Sequence, residues 1–162
     1  MALVFHAFHP GLAMNKITPF LWFDHHAEEA ANFYVSIFKN SSITRVMRAG
    51  ERVMGVSFVL EGQAFHSLNG GPVFPFTPAI SLYVDCETQA EVDALWGKLS
   101  SDQASEQCGW LKDKYGLSWQ IIPSILPQLL QDPDPAKAER VRQAMMKMKK
   151  IDIDALQAAA AQ

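Results

Sequence analysis

His25, His26, His66, Cys86 and Cys108 are the side chains whose types suit acid–base, nucleophilic or metal chemistry. His25 and His26 are adjacent, at the corner between an expected strand and an expected helix. Neighbouring residues diverge around a helix, so this pair reads as a solvated helix start and not as a joint ligand. His66 falls inside an expected strand. It has the chemistry of a general base, although a hydrogen-bonded structural histidine is the plainer reading. Cys86 lies between Asp85 and Glu87, and nearby negative charge raises a thiol pKa, which argues against a nucleophile. Cys108, near Lys112 and Lys114, is the better thiolate candidate, but nothing in the sequence pairs it with a base. There is no Ser/His/Asp motif and no phosphate loop. Trp22, Trp110, Trp119 and Tyr83 are rings that can stack on a planar ligand or fill a core.

The elements that position these residues form a repeat. Lys16–Phe23 reads as a strand ending in Asp24, and the pattern after it predicts a helix over 27–38 with Ala30, Phe33, Tyr34 and Ile37 on one face. Ala79–Asp85 repeats the strand, and its helix carries Val92, Leu95, Trp96 and Leu99. Leu-Trp-Phe-Asp at 21–24 and Leu-Tyr-Val-Asp at 82–85 read as one element used twice. Between them, 42–48, 53–60 and 63–69 read as strands, with Glu61-Gly62 as a tight hairpin turn. Thr88-Gln89-Ala90-Glu91 fits a capping box. Strands over 108–112 and 117–122 flank an Asp113–Gly116 turn. Pro123 ends the sheet pattern. Short helices follow, one over 125–130 and one started by Asp134-Pro135 with Val141, Ala144, Met145 and Met148 on one face; Asp152 caps a last, Ala-rich one. Helices appended in this way cover a sheet edge or a partner subunit. The expected fold is α+β: an extension over 1–15, a β-α-β-β-β module over 16–72, a shortened second module over 73–123 and a helical extension over 124–162. Met14 is an expected internal start.

Composition narrows the function classes. The chain is 49% hydrophobic with a net charge of −3, so it carries no electrostatic footprint for nucleic acid. No apolar run is long enough to cross a bilayer. Two cysteines that need not pair, with no clear signal peptide, predict a reduced, cytoplasmic protein.

Ile-Thr-Pro-Phe-Leu-Trp-Phe-Asp at 17–24, Leu-Asn-Gly-Gly-Pro-Val-Phe at 68–74, Ala-Ile-Ser-Leu-Tyr-Val-Asp-Cys at 79–86 and the block from Cys108 to Pro123 resemble the PhnB-like branch of the vicinal oxygen chelate superfamily. That superfamily holds glyoxalases, bleomycin-resistance proteins and extradiol dioxygenases, and this branch often carries the label 3-demethylubiquinone-9 3-methyltransferase-like. The resemblance implies paired β-α-β-β-β modules, eight strands forming a curved mixed sheet that cups a small molecule, and a homodimer. Metal-using members hold a divalent ion through His, Gln and Glu. The methyltransferase label finds no support in the residues. The only glycine pair, Gly70-Gly71, is followed by proline and not by a helix pattern.

Strand alternation assigns residues to the implied cup. Thr18, Phe20 and Trp22 share one face of the first strand; Ala79, Ser81 and Tyr83 share the matching face of its twin. Gln120 takes the position of the family's final carboxylate. Strand 63–69 is ambiguous, with Phe65, Ser67 and Asn69 on one face and Ala64, His66 and Leu68 on the other; analogy with the family favours Phe65 in the cup. The expected ligand set is then Thr18, Phe65, Ala79 and Gln120, which is not a metal site. The sequence therefore predicts a small-molecule binder with no metal and no cofactor, its pocket walls Phe20, Trp22, Phe65 and Tyr83 and its polar contacts Thr18, Ser81, Ser118 and Gln120. A metal-dependent lyase, isomerase or dioxygenase and a non-metal enzyme using His66 stand as alternatives.

Overall fold

The computed structural model describes residues 16–162. The expected extension over 1–15, with Met14 as internal start, falls outside the described residues. The chain divides into two compact units, one ending at Pro75 and one beginning at Phe76.

The first unit runs β1 (Phe20–Phe23), α1 (Ala27–Ile37), β2 (Ser42–Ala49), β3 (Arg52–Leu60) and β4 (Gln63–Asn69). Its four strands lie in the order β1-β4-β3-β2, with β1 parallel to β4 and the other pairs antiparallel. Leu21 and Phe23 are buried while Phe20 stays exposed, so β1 alternates as its sequence predicts. The buried layer continues through Val56, Phe58, Phe65 and Tyr34, with the Phe58 and Phe65 rings stacked at 5.3 Å. α1 has no side-chain cap from His26; instead Asn69, at the end of β4, accepts from the Ala27 amide at 2.8 Å and donates to the Val53 carbonyl. One amide side chain thus ties the helix start to the sheet.

The second unit runs β5 (Ser81–Cys86), α2 (Gln89–Leu99), a 3-10 turn at Gln103–Ser105, β6 (Trp110–Lys112), β7 (Ser118–Pro123), α3 (Ile125–Leu130), α4 (Pro135–Met145) and α5 (Ile153–Ala161). Its strand order is β5-β7-β6, with β5 parallel to β7 and β6 antiparallel to it. Strand, helix and hairpin repeat the wiring of the first unit with one strand fewer. The described residues therefore hold seven strands, not the eight implied by the resemblance. The stretch 100–107 is polar apart from Ala104 and has no alternating apolar residues to bury, so it turns where a further strand would run.

The capping box at α2 forms, with the Glu91 amide donating to Thr88 Oγ1; the Glu91 carboxylate reaches one residue further back than the motif implies, to the Glu87 amide. Asp113 is buried and accepts from the Tyr115 and Leu117 amides and from Trp119 Nε1 at 2.8 Å, which fixes the β6–β7 turn. The three C-terminal helices bury Leu126, Val141, Ile151 and Leu156 against Ile122 of β7. The connection between α4 and α5 holds the hairpin through main-chain bonds, the Cys108 and Gly109 amides donating to the Met148 and Lys149 carbonyls. Gln89 of α2 grips the start of α5, donating to the Ile151 carbonyl and accepting from the Ile153 amide. Among the described residues no helix is long and apolar enough to cross a membrane.

Candidate functional site

Each unit offers a sheet face turned away from its own helix. In the first unit the register sets Phe20, His66, Ser57 and Arg45 in one row across all four strands, and Trp22, Leu68, Gly55 and Met47 in the next. The His66 Nδ1 and the Ser57 hydroxyl are 2.9 Å apart, and the Phe20 ring centroid lies 6.1 Å from the imidazole. Burial lowers the His66 pKa, which favours its neutral form. Thr18 is half-buried just ahead of β1. Trp22 is held by the loop after β4: its indole donates to the Gly71 carbonyl at 2.9 Å and meets Phe74 edge-on. The close approach of Trp22 leaves no room for a Cβ at Gly70.

Phe65 is not on this face. The Glu61-Gly62 turn fixes Leu60 opposite Gln63, and counting back sets Phe65 opposite Phe58 and His66 opposite Ser57. Val56, Phe58 and Leu60 form the apolar face of β3 and must pack on the helix, so Phe65 follows them into the core, where it is 5% exposed. His66 takes the place on the exposed face that analogy gave to Phe65. The hairpin register, readable from Glu61-Gly62, is the signal that would have settled this.

In the second unit Lys112, Ser118 and Ser81 form one row, and Trp110, Gln120 and Tyr83 the next, on the same face. Four of the sequence-predicted contacts, Ser81, Tyr83, Ser118 and Gln120, thus come together; Trp110 and Lys112 complete the rows. Gln120 Nε2 donates to the Ser81 hydroxyl at 2.8 Å. Ser118 is 1% exposed, and its hydroxyl has no hydrogen-bond partner among the described residues. Tyr83 is half exposed, and burial followed by Asp85 and Cys86 pushes its phenol pKa up, so it stays a donor at neutral pH. Trp119 faces the opposite way, into the core. Ala79 lies outside β5 in an exposed loop. A depression of about 400 Å³ at the β6 edge is lined by Ser105, Gln107, Cys108, Trp110 and Met146. Burial raises the Cys108 thiol pKa, and the buried Cys86 is pushed up to about 12 by burial, Glu91 and Asp85, so neither is an activated nucleophile. The His25 and His26 rings lie 3.8 Å apart, tilted by 35°, with His25 beside Asp24.

The divalent ion used elsewhere in the superfamily does not fit these residues. Of the implied positions, Phe65 and Ala79 have no donor, and Phe65 is in the core. Among the described residues no three His, Cys, Asp or Glu side chains converge. A methyl-donor nucleotide of the dinucleotide-fold type fits no better. The turns from β1 to α1 and from β5 to α2, Asp24–His26 and Glu87–Thr88, contain no glycine to admit a phosphate or a cofactor backbone.

Mixed sheets with a helix on one face and the wiring repeated in tandem define a glyoxalase-like α+β protein. Residues 15–122 match the family described as 3-demethylubiquinone-9 3-methyltransferase. The PhnB protein from Bacillus cereus, which carries that description provisionally, is 40% identical over 68% of this chain and 100% of its own, with a TM-score of 0.62. Protein PA1353 from Pseudomonas aeruginosa shares the fold at 17% identity, covering 65% of this chain and 95% of its own, with a TM-score of 0.52. No curated protein matches the chain. The chain belongs to the 3-demethylubiquinone-9 3-methyltransferase family, with PhnB proteins among its relatives.

Proposed function

We propose that this protein binds a small planar molecule on its exposed sheet faces, without a catalytic metal. The observation that carries the reading is the make-up of those faces. In each unit, partly exposed rings (Phe20 in one, Tyr83 in the other) lie beside fixed neutral polar groups. Rings supply area and a few oriented donors supply specificity, which is the usual composition of a small-molecule site. The protein works as a cytoplasmic homodimer in this reading. The exposed Val73 and Phe74 in the first unit and Ile80 in the second are apolar surface that a second copy would cover. The test is a fragment screen on the full chain by NMR, with Zn²⁺, Ni²⁺ and Mn²⁺ titrated separately and the assembly followed by sedimentation. Planar fragments that shift Phe20, Tyr83 or Gln120 support the reading. Micromolar binding of a divalent ion overturns it.

A second reading rests on the His66–Ser57 contact, which holds an imidazole in one orientation as acid–base chemistry requires. It expects turnover that collapses in His66→Gln and follows one ionisation below pH 6.5.

A further inference from the structure

We propose that the exposed face of the second sheet takes a planar aromatic carboxylate, with the anionic head on the Lys112–Ser118–Ser81 row and the ring across the Trp110–Gln120–Tyr83 row. This deepens the small-molecule reading and rests on it.

The face is rich in donors and poor in acceptors. The Ser118 hydroxyl is shut away from solvent without a partner among the described residues, and a buried hydroxyl in that state retains a full unmet hydrogen-bond capacity. Next to it in the row, Lys112 carries a positive charge with no ion pair among the described residues. On the other side, Ser81 already accepts from Gln120, so its own hydroxyl hydrogen is left to donate outward. The phenol of Tyr83 is held protonated. The nearest acid on β5, Asp85, is one row further along and accepts from the Ser124 hydroxyl. A hydroxyl, a hydroxyl and an ammonium in one row match the two oxygens of a carboxylate, which only accepts.

The spacing sets the ring. Rows on one face are about 6.6 Å apart along the strands, and neighbouring strands are about 4.8 Å apart. A bicyclic aromatic acid held by its head at Ser118 therefore lies over Gln120, flanked by Trp110 and Tyr83 from the two outer strands. The flexible stem of Lys112, opposite Ser118 in the ladder, lets its ammonium follow the same carboxylate.

The experiment titrates the full chain with 2-naphthoate, with its neutral amide 2-naphthamide, and with cyclohexanecarboxylate, following backbone amides by NMR. The expected result is naphthoate binding about tenfold tighter than the amide and than the non-planar acid, with shifts centred on Ser81, Lys112, Ser118 and Gln120. Lys112→Gln weakens naphthoate by about tenfold and removes most of its salt dependence; Ser118→Ala weakens it by about fivefold. Lys112 is only partly buried, so its replacement by Gln leaves the fold alone and keeps the test decisive if Ser118→Ala folds poorly. Equal or tighter amide binding, shifts centred elsewhere, or indifference to both substitutions overturns the carboxylate assignment. In that case planar hits on the sheet from the fragment screen leave the binder reading standing. Silence of these faces to every planar compound, charged or neutral, overturns both.

Discussion

Ser118 and Ser67 give a paired test of the proposed site. Both are buried serines in the strands that pair with the first strand of their units, and both are under 2% exposed. Ser67 donates to the Val56 carbonyl at 3.0 Å; the Ser118 hydroxyl has no partner among the described residues. Truncation to alanine should therefore act in opposite directions. At Ser67 it removes a satisfied hydrogen bond and leaves the Val56 carbonyl with one fewer donor, a loss of about 1 kcal/mol. At Ser118 it relieves an unmet buried group worth about 1–3 kcal/mol. The void left by one hydroxyl, about 15 Å³, returns only about 0.4 kcal/mol at about 24 cal/mol per Å³. The net gain is about 1–2 kcal/mol, which for a chain of this size raises Tm by about 3–6 °C. Calorimetry on Ser67→Ala, Ser118→Ala and the parent measures both. A stabilised Ser118→Ala that also loses naphthoate binding marks a group kept for a ligand at the expense of the fold. If Ser118→Ala melts lower than the parent, its hydroxyl is serving the fold, and the reasoning fails.

Four further outcomes are expected. Gly70→Ala pushes the Trp22 indole off the loop and breaks its bond to Gly71, costing about 2–3 kcal/mol and changing the tryptophan emission; an unchanged spectrum counts against that contact. Asp113→Asn loses charge-assisted bonds to two amides and the Trp119 indole, a destabilisation of about 2–3 kcal/mol by urea titration, and a neutral result refutes the assigned role. Because the Cys86 pKa is raised to about 12, its thiolate is scarce at pH 8 and grows only as the pH approaches that value; Ellman's reagent should modify it about a thousandfold more slowly than an ordinary thiol, and Cys108 first. Calorimetric titration with Zn²⁺ or Ni²⁺ should show no micromolar site in the parent, and finding one means that the donor set has been misread.

The wiring was legible because it rests on local signals. The alternation of β1, the capping residues Thr88, Asp134 and Asp152, and the Glu61-Gly62 turn each act within a few residues. Strand ends were less so: Lys16–Pro19 and Ala79–Ile80 carry strand-like residues but fall outside β1 and β5; the Pro19 carbonyl still accepts from the His66 amide at 3.0 Å, but Pro19 has no amide to donate in return. The site was half legible. Alternation alone grouped Ser81, Tyr83, Ser118 and Gln120 because both of their strands are anchored by apolar faces. It failed at Phe65, where both faces of β4 mix polar and apolar residues and only the register against β3 decides. Ser57 follows from the same β3–β4 register; Arg45 was out of reach, since its place opposite Ser57 depends on an irregularity in β2 pairing between Ile43 and Arg45. The Asp113 turn lock, which joins an acid to an indole six residues on, leaves no periodic trace at all.

Matched family sequence stops at residue 122, yet the protein's own packing does not. Ile122 is a wall of the core made by α3, α4 and α5, and the positive-φ Gly109 is crowded by Ile122 and Ile151 together. The hairpin is thus cut to receive its tail. A chain trimmed to the family boundary would bare a greasy seam on β7 and strand Gln89 without its grip, whereas a tag placed after Gln162 disturbs nothing in this seam. For anyone borrowing this scaffold, the helices beyond β7 are a keystone to be carried over whole, not an ornament to be clipped.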